Sequence, residues 1–359
     1  MTAITRPRRL SLVSTLLVLA LGWFAAPHAS QGGANNGFLL FTTDRDNPSN
    51  AGMCPDCEEI YRMSPDGSEP TRLTFGGADY QAIPYNNTGA DWSHSKKLIA
   101  FHSNRIGRIP QIHLMNHDGS DDHLLVSLPR GGMFPSFSQS GNELCFNPQP
   151  VSQANPRRDI YIANVHGEGV TNLTSPGQLP GEPGSFNDNF RCDWSPKSNA
   201  IAFSSNRHDP AGAVRNDEIY VINADGSDLV RLTGNAESGV PGSDVNPAWS
   251  PKGDRIAFES NRTGQPEIWV MNADGSEPTR LTNFEAEPTP SNVSVTKPTW
   301  SPTGDRIAFH RRVGLHAMRG HFEIYTMNAD GTDLRQITLT KSPGFSGFPS
   351  WGKWSNSHR

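Results

Sequence analysis

An all-β fold, a six-bladed β-propeller, is predicted by three observations: a unit that recurs six times at roughly 50 residues, tight-turn residues at fixed places within it, and a chain rich in backbone punctuators. The 359 residues include 34 Gly and 29 Pro, about 18 % of the chain against a usual ~12 %, which argues against a helix-dominated fold. A hydrophobic fraction of 35 % excludes a multi-span membrane protein, while 17 Phe and 8 Trp in regular apolar runs exclude a disordered one.

The recurring unit runs from an aromatic-Ser turn to an apolar strand, then Glu-Ile-Tyr, Asn-Ala-Asp-Gly and Arg-Leu-Thr. The fullest copy reads Trp249-Ser250-Pro251-Lys252-Gly253, Ile256-Ala257-Phe258, Glu267-Ile268-Trp269, Asp274-Gly275 and Arg280-Leu281-Thr282. Three intervals are constant. The anchor aromatic precedes the strand Phe by nine residues: Trp92 to Phe101, Phe137 to Phe146, Trp194 to Phe203, Trp249 to Phe258 and Trp300 to Phe309. Eight residues separate Glu59, Gln111, Asp159, Glu218, Glu267 and Glu323 from Gly67, Gly119, Gly167, Gly226, Gly275 and Gly331. Six more lead to Leu73, Leu125, Leu173, Leu232, Leu281 and Ile337.

Each unit supplies four short strands: the anchor segment, Ile-Ala-Phe, Ile-Tyr and Arg-Leu-Thr. Ser-Pro-x-Gly and Asn-Ala-Asp-Gly are tight turns, in which Pro sets φ and Gly supplies a positive φ. The first unit, from Phe38, has no anchor strand, whereas the chain finishes with Phe348-Pro349-Ser350-Trp351, an anchor with nothing after it. The last strand is therefore expected to complete blade 1 and remove an open sheet edge.

The constant intervals all belong to the turns of one face. Connections on the other face vary: Phe101 to Gln111 is ten residues and Phe41 to Glu59 eighteen; Leu125 to Phe137 is twelve and Leu173 to Trp194 twenty-one. Length variation on one face marks a candidate ligand surface. At the rim where the anchor strands begin stand Asp91, Arg191, Asp193, Asn246 and Lys297, a mixed-sign set suited to a polar partner or a carboxylate-bearing peptide. Taken singly, each is a solvated or turn-capping residue.

Residues 1–30 read as a targeting segment, with Arg6, Arg8 and Arg9 leading into an apolar run from Leu10 to Ala26, either a cleaved signal or an uncleaved N-terminal anchor. Residues 31–37 form a linker and 38–357 the propeller, so no separate domain is expected ahead of blade 1. Without the three arginines the formal charge moves from −5 to −8, which disfavours nucleic acid as a partner. Export favours disulfides. Cys54 and Cys57 in Cys-Pro-Asp-Cys suit a loop staple; Cys145 and Cys192 either pair across neighbouring units or stay as buried thiols.

The units Trp249-Ser250-Pro251, Ile256-Ala257-Phe258-Glu259-Ser260-Asn261-Arg262 and Met271-Asn272-Ala273-Asp274-Gly275 resemble the WD40-like (PD40) repeats of the TolB C-terminal propeller. That resemblance spans about residues 38–357 and implies an exported, non-enzymatic scaffold, periplasmic or secreted, that grips envelope protein partners. The expected protein is a monomer with no cofactor and no membrane span after signal cleavage. Ser-Asn-Arg recurs at Arg105, Arg207 and Arg262, where an inter-blade ion pair or carbonyl clamp is expected; blades 3 and 6 depart from it with Asn147-Pro148 and His310-Arg311-Arg312. A more distant likeness to oligogalacturonate lyase propellers raises a second reading, a metal-dependent carbohydrate-active enzyme or a glycan-binding propeller. Its weak metal candidates are His102 and His310, with His316 and His321 in a long connection; His113, His117 and His123 form another group. No Gly-x-Ser-x-Gly elbow and no His-Glu-x-x-His occurs.

Overall fold

The computed structural model describes residues 37–46, 57–75, 85–107, 109–149, 158–174, 188–208, 216–234, 242–284, 295–313, 321–340 and 344–352. Contacts divide the chain into Met1–Gly33 and Ala34–Arg359, and every described residue belongs to the second unit. The targeting segment and Cys54 therefore lie outside the described residues. Among those residues there are 24 strands in six four-stranded antiparallel sheets, and no helix is long and apolar enough to cross a membrane.

Blade 5 shows why the repeat has its form. Its strands are Asp244–Trp249, Arg255–Ser260, Glu267–Asn272 and Thr279–Arg280. Side chains alternate across a strand, so Ala308 of blade 6 faces blade 1, while Ile307 and Phe309 face blade 5. The strand Phe residues, Phe41, Phe101, Phe146, Phe203, Phe258 and Phe309, are all fully buried. Burying each such ring is worth roughly 1.5–3 kcal/mol. The core is divided into six apolar clusters, one between each pair of neighbouring blades.

Arg-Leu-Thr is a fastening. The Thr282 hydroxyl accepts the Ile268 N–H at 2.9 Å and donates to the Glu267 carboxylate. Thr74 with Glu59, Thr233 with Glu218 and Thr338 with Glu323 repeat the arrangement. The interval from the acid to the last strand is thereby set by hydrogen bonds. At the Asn-Ala-Asp-Gly turn, the Asp274 carboxylate accepts the Ser276 N–H at 2.9 Å, and Gly275 takes a φ of 87°.

Closure follows the expectation. The anchor strand of blade 1, Ser346–Gly352, pairs antiparallel with Phe38–Thr43, with Leu39 opposite Trp351 and Thr43 opposite Ser346. Trp351, Phe41 and Ile324 share the cluster between blades 6 and 1. Cys145 and Cys192 form a disulfide joining blade 3 to blade 4, with a Cα separation of 6.3 Å; Cys57 is also disulfide-bonded.

The repeated arginines differ from expectation: they tie strands within a blade. Arg262 donates to Asp244 at 2.6 Å, Arg207 to Asn189 at 2.7 Å and Arg105 to Asp122 at 2.7 Å, each in its own sheet. The reason is reach. The guanidinium leaves the end of the second strand and lies over the aromatic beside it, Phe258 for Arg262, which directs its N–H groups along the blade.

Candidate functional site: the axial pocket

The six anchor strands, Asn87–Trp92, Met133–Phe137, Asn189–Trp194, Asp244–Trp249, Val295–Trp300 and Ser346–Gly352, contact one another in a closed cycle. Each is interrupted by a β-bulge. In blade 5, Val245 pairs with Glu259 and Ala248 with Ala257, so that Asn246 and Pro247 together face Phe258. The same register shift occurs in the other five blades. The residue three before each anchor aromatic takes a left-handed backbone: Gly89 (φ 62°), Phe134 (53°), Arg191 (58°), Asn246 (56°), Lys297 (53°) and Phe348 (51°). For a residue other than Gly this costs on the order of 1 kcal/mol, repeated here at five positions. Gly89 has a steric reason as well, because a Cβ there would lie 2.6 Å from the ring of His102.

The bulges send two layers of side chains toward the axis. Asp91, Ser136, Asp193, Ala248, Thr299 and Ser350 form the layer next to the anchors, and it ties the blades together. Asp91 accepts the Phe137 N–H at 3.0 Å and the Ser350 hydroxyl at 3.0 Å. Ser136 accepts the Trp194 N–H at 3.2 Å, and Asp193 accepts the Trp249 N–H at 2.7 Å and the Ser136 hydroxyl at 3.2 Å. The two acids thus satisfy backbone donors of the next blade.

The left-handed layer is different in kind. The Arg191 guanidinium lies 3.3 Å from the centroid of Phe134 and 5.4 Å from that of Phe348. Lys297 Nζ lies 5.4 Å from the Phe348 centroid. Neither cation forms a side-chain hydrogen bond or ion pair among the described residues, and Arg191 Nη1 is buried without an acceptor. Asn246 donates to Glu259 at 2.7 Å and to Thr296 at 2.9 Å, leaving its own carbonyl oxygen unpaired. Burial pushes the Arg191 guanidinium down to about 9, helped by the neighbouring Arg158. It pushes Lys297 down to about 7, with Arg191 adding to the effect, and Asp193 up to about 7. The same burial raises the Glu259 carboxyl. The five residues expected at the rim are therefore gathered at the axis, around one cavity with about 60 Å³ of space for water-sized molecules.

Residues 184–341 match the TolB beta propeller domain family, PD40. Within that stretch the repeats are similar to those of TolB propellers. The uncharacterized protein Atu1656 of Agrobacterium fabrum is 29 % identical over 149 residues, which is 40 % of this chain and 46 % of that protein; the chain thus matches less than half the length of this relative. TolB from Acinetobacter baumannii superposes with a TM-score of 0.64 at 18 % identity, over 89 % of this chain and 67 % of that one. An oligogalacturonate lyase in complex with manganese superposes with a TM-score of 0.52 at 13 % identity, over 86 % and 75 % of the two chains. At these identities both likenesses concern the fold.

In this propeller the two candidate metal histidines have another task. His102 Nδ1 accepts the Phe134 N–H at 3.3 Å and His310 Nδ1 accepts the Phe348 N–H at 3.0 Å. Asn147 serves Arg191 in the same way at 2.8 Å, and Ser204 serves Asn246 at 3.1 Å. In these four blades the residue after the strand Phe therefore satisfies the N–H of the next blade's bulge. This role requires neutral imidazole, and burial pushes His310 down to about 3 and His102 well below its ordinary value, with Arg191 and Lys297 contributing. His321 pairs with Glu323 at 2.8 Å, and His113 lies against Arg105 and Asp122; His316 lies outside the described residues. Among the described residues no group of three His, Cys, Asp or Glu side chains is placed to hold a metal ion.

Sequence reasoning missed Phe134, Phe348 and Glu259. A signal was present: Pro135, Pro247, Pro298 and Pro349 all stand two residues before an anchor aromatic. Pro in a paired strand marks a place where no ladder N–H is needed, such as a bulge, and the residue before it is the one turned to the axis.

Proposed function

We propose that this protein is an exported, non-enzymatic TolB-like propeller that holds a protein partner of the cell envelope at its axial pocket. The observation that carries this reading is the contrast between the two axial layers. One clasps neighbouring blades through Asp91, Ser136, Asp193 and Ser350, as a scaffold needs; the other places unpaired Arg191 and Lys297 on strained backbone beside two aromatic rings. Strain and unpaired buried polar groups cluster at binding sites because stability alone would not keep them. The likeness to TolB, the apolar segment at the start of the sequence and the acidic propeller support an envelope setting. The lyase reading draws only on shared fold, since His102 and His310 are engaged as caps of different blades.

The test is capture from an envelope extract by wild type and by Arg191→Gln/Lys297→Gln, read by mass spectrometry. A partner retained by wild type and lost by the variant is expected. Equal capture by both would move the binding surface elsewhere.

A further inference from the structure

The unpaired cations at the axis also specify what chemical group they lack. Arg191 presents one face of its guanidinium to Phe134 at 3.3 Å, so its N–H edge remains in the plane of the fork, where a carboxylate can accept two parallel hydrogen bonds. Lys297 shares the Phe348 wall with it, 5.4 Å from the same centroid. The nearby acids do not supply the acceptor. Asp91 and Asp193 are taken up by N–H and O–H donors of adjoining blades, and Glu259 by Asn246 and Thr296.

We propose that the space between Arg191 and Lys297 is a monocarboxylate site, which receives one carboxylate group from a partner protein or from a small free acid. This rests on the reading of the axial pocket as the binding site and names the chemistry of its contact. The charge of the incoming group is limited. Asp91, Asp193 and Glu259 already bring negative charge to the axis beside Arg191 and Lys297, so a dianion such as phosphate meets more repulsion there than a monoanion does. Size agrees, because about 60 Å³ of free space admits a carboxylate and its first carbons, not a folded segment. Binding such a group also returns hydrogen bonds to a guanidinium nitrogen that is buried without one. The titration of Lys297 near 7 and Asp193 near 7, in a pocket that also holds Arg191, Asp91 and Glu259 with His102 and His310 behind it, makes a bound anion draw a proton onto this group of residues.

The experiment is calorimetric titration at pH 7, at constant ionic strength in chloride, with four probes: sodium acetate, acetyl-triglycine with a free carboxylate, its C-terminal amide, and sodium phosphate. The free acid is expected to bind saturably and at least tenfold more tightly than the amide, a comparison that needs no variant. Lys297→Met is expected to weaken the acid at least tenfold. Acetate binding as tightly as the peptide acid would identify a small free acid as the ligand; a peptide acid tenfold tighter than acetate would identify a protein terminus. Equal binding of acid and amide, preference for phosphate, no saturable binding by any probe, or an unchanged affinity in Lys297→Met would overturn the proposal. Envelope capture that depends on Arg191 without any carboxylate preference would defeat this inference alone. Carboxylate binding with no envelope capture would defeat the partner reading alone.

Discussion

Thr43 and Ser346, 303 residues apart in the chain, share a hydrogen bond of 3.1 Å between their hydroxyls across the strand pair that closes the ring. Ending the chain after Gly347 would remove Trp351 from the cluster between blades 6 and 1 and leave the Phe38–Thr43 strand with an open edge. Such a truncation is expected to lower the melting temperature sharply and to cause aggregation, because an unpaired edge strand templates association. Cooperative unfolding at the wild-type temperature, followed by circular dichroism, would contradict a closed ring.

Cys145 and Cys192 cross-link two blades over a sequence separation of 47. Replacing both with Ala is expected to reduce stability by about 2–4 kcal/mol, measured by denaturant unfolding. Because Cys192 lies between Arg191 and Asp193, the same variant is expected to weaken partner capture as well.

The blade was legible from the sequence because its intervals are set by side-chain devices that need particular residue types: the Thr and Glu of the last two strands, and the Asp and Gly of the turn. Closure was legible because Phe348-Pro349-Ser350-Trp351 is a recognisable anchor without a partner. Of the left-handed layer only the polar members Arg191, Asn246 and Lys297 stood out, and not as one layer, since Gly, Phe, Arg, Asn, Lys and Phe occupy six equivalent places and share no side-chain chemistry. What unites them is a backbone angle, which a following proline records at four of the six places. For Arg105, Arg207 and Arg262 the recurrence was visible but the direction of reach was not, which is why ties within a blade were read as ties between blades.

His310 accepts a bulge N–H and must stay neutral to do so. Its native value of about 3 lies below the ordinary 6.5, so its contribution to stability is full above 6.5 and is lost as pH falls toward 3. His310→Asn is expected to preserve the cap, as Asn147 does in blade 3, and to flatten this acid dependence. His310→Ala is expected to cost about 1–3 kcal/mol, since it leaves the Phe348 N–H unpaired. Denaturant titrations at pH 7.5 and 4.5 check both outcomes.

Lys297 is lowered from 10.5 to about 7. The native state resists its charge, so the penalty is complete below 7 and fades as pH rises toward 10.5. Lys297→Met is expected to stabilise the fold by about 1 kcal/mol at pH 6, the usual consequence of relieving a binding site of its strain, with the gain shrinking at pH 9. Destabilisation at pH 6 would mean that the ammonium has a partner in the native protein.

Photocrosslinking tests most directly whether the axial pocket is where this propeller meets its partner. With p-benzoylphenylalanine in place of Phe134, beside Arg191, irradiation in an envelope extract is expected to give a discrete adduct that Lys297→Met suppresses, while the same group at Val230, half exposed on the outer strand of blade 4, gives none. Adducts from Val230 with none from position 134 would contradict the account.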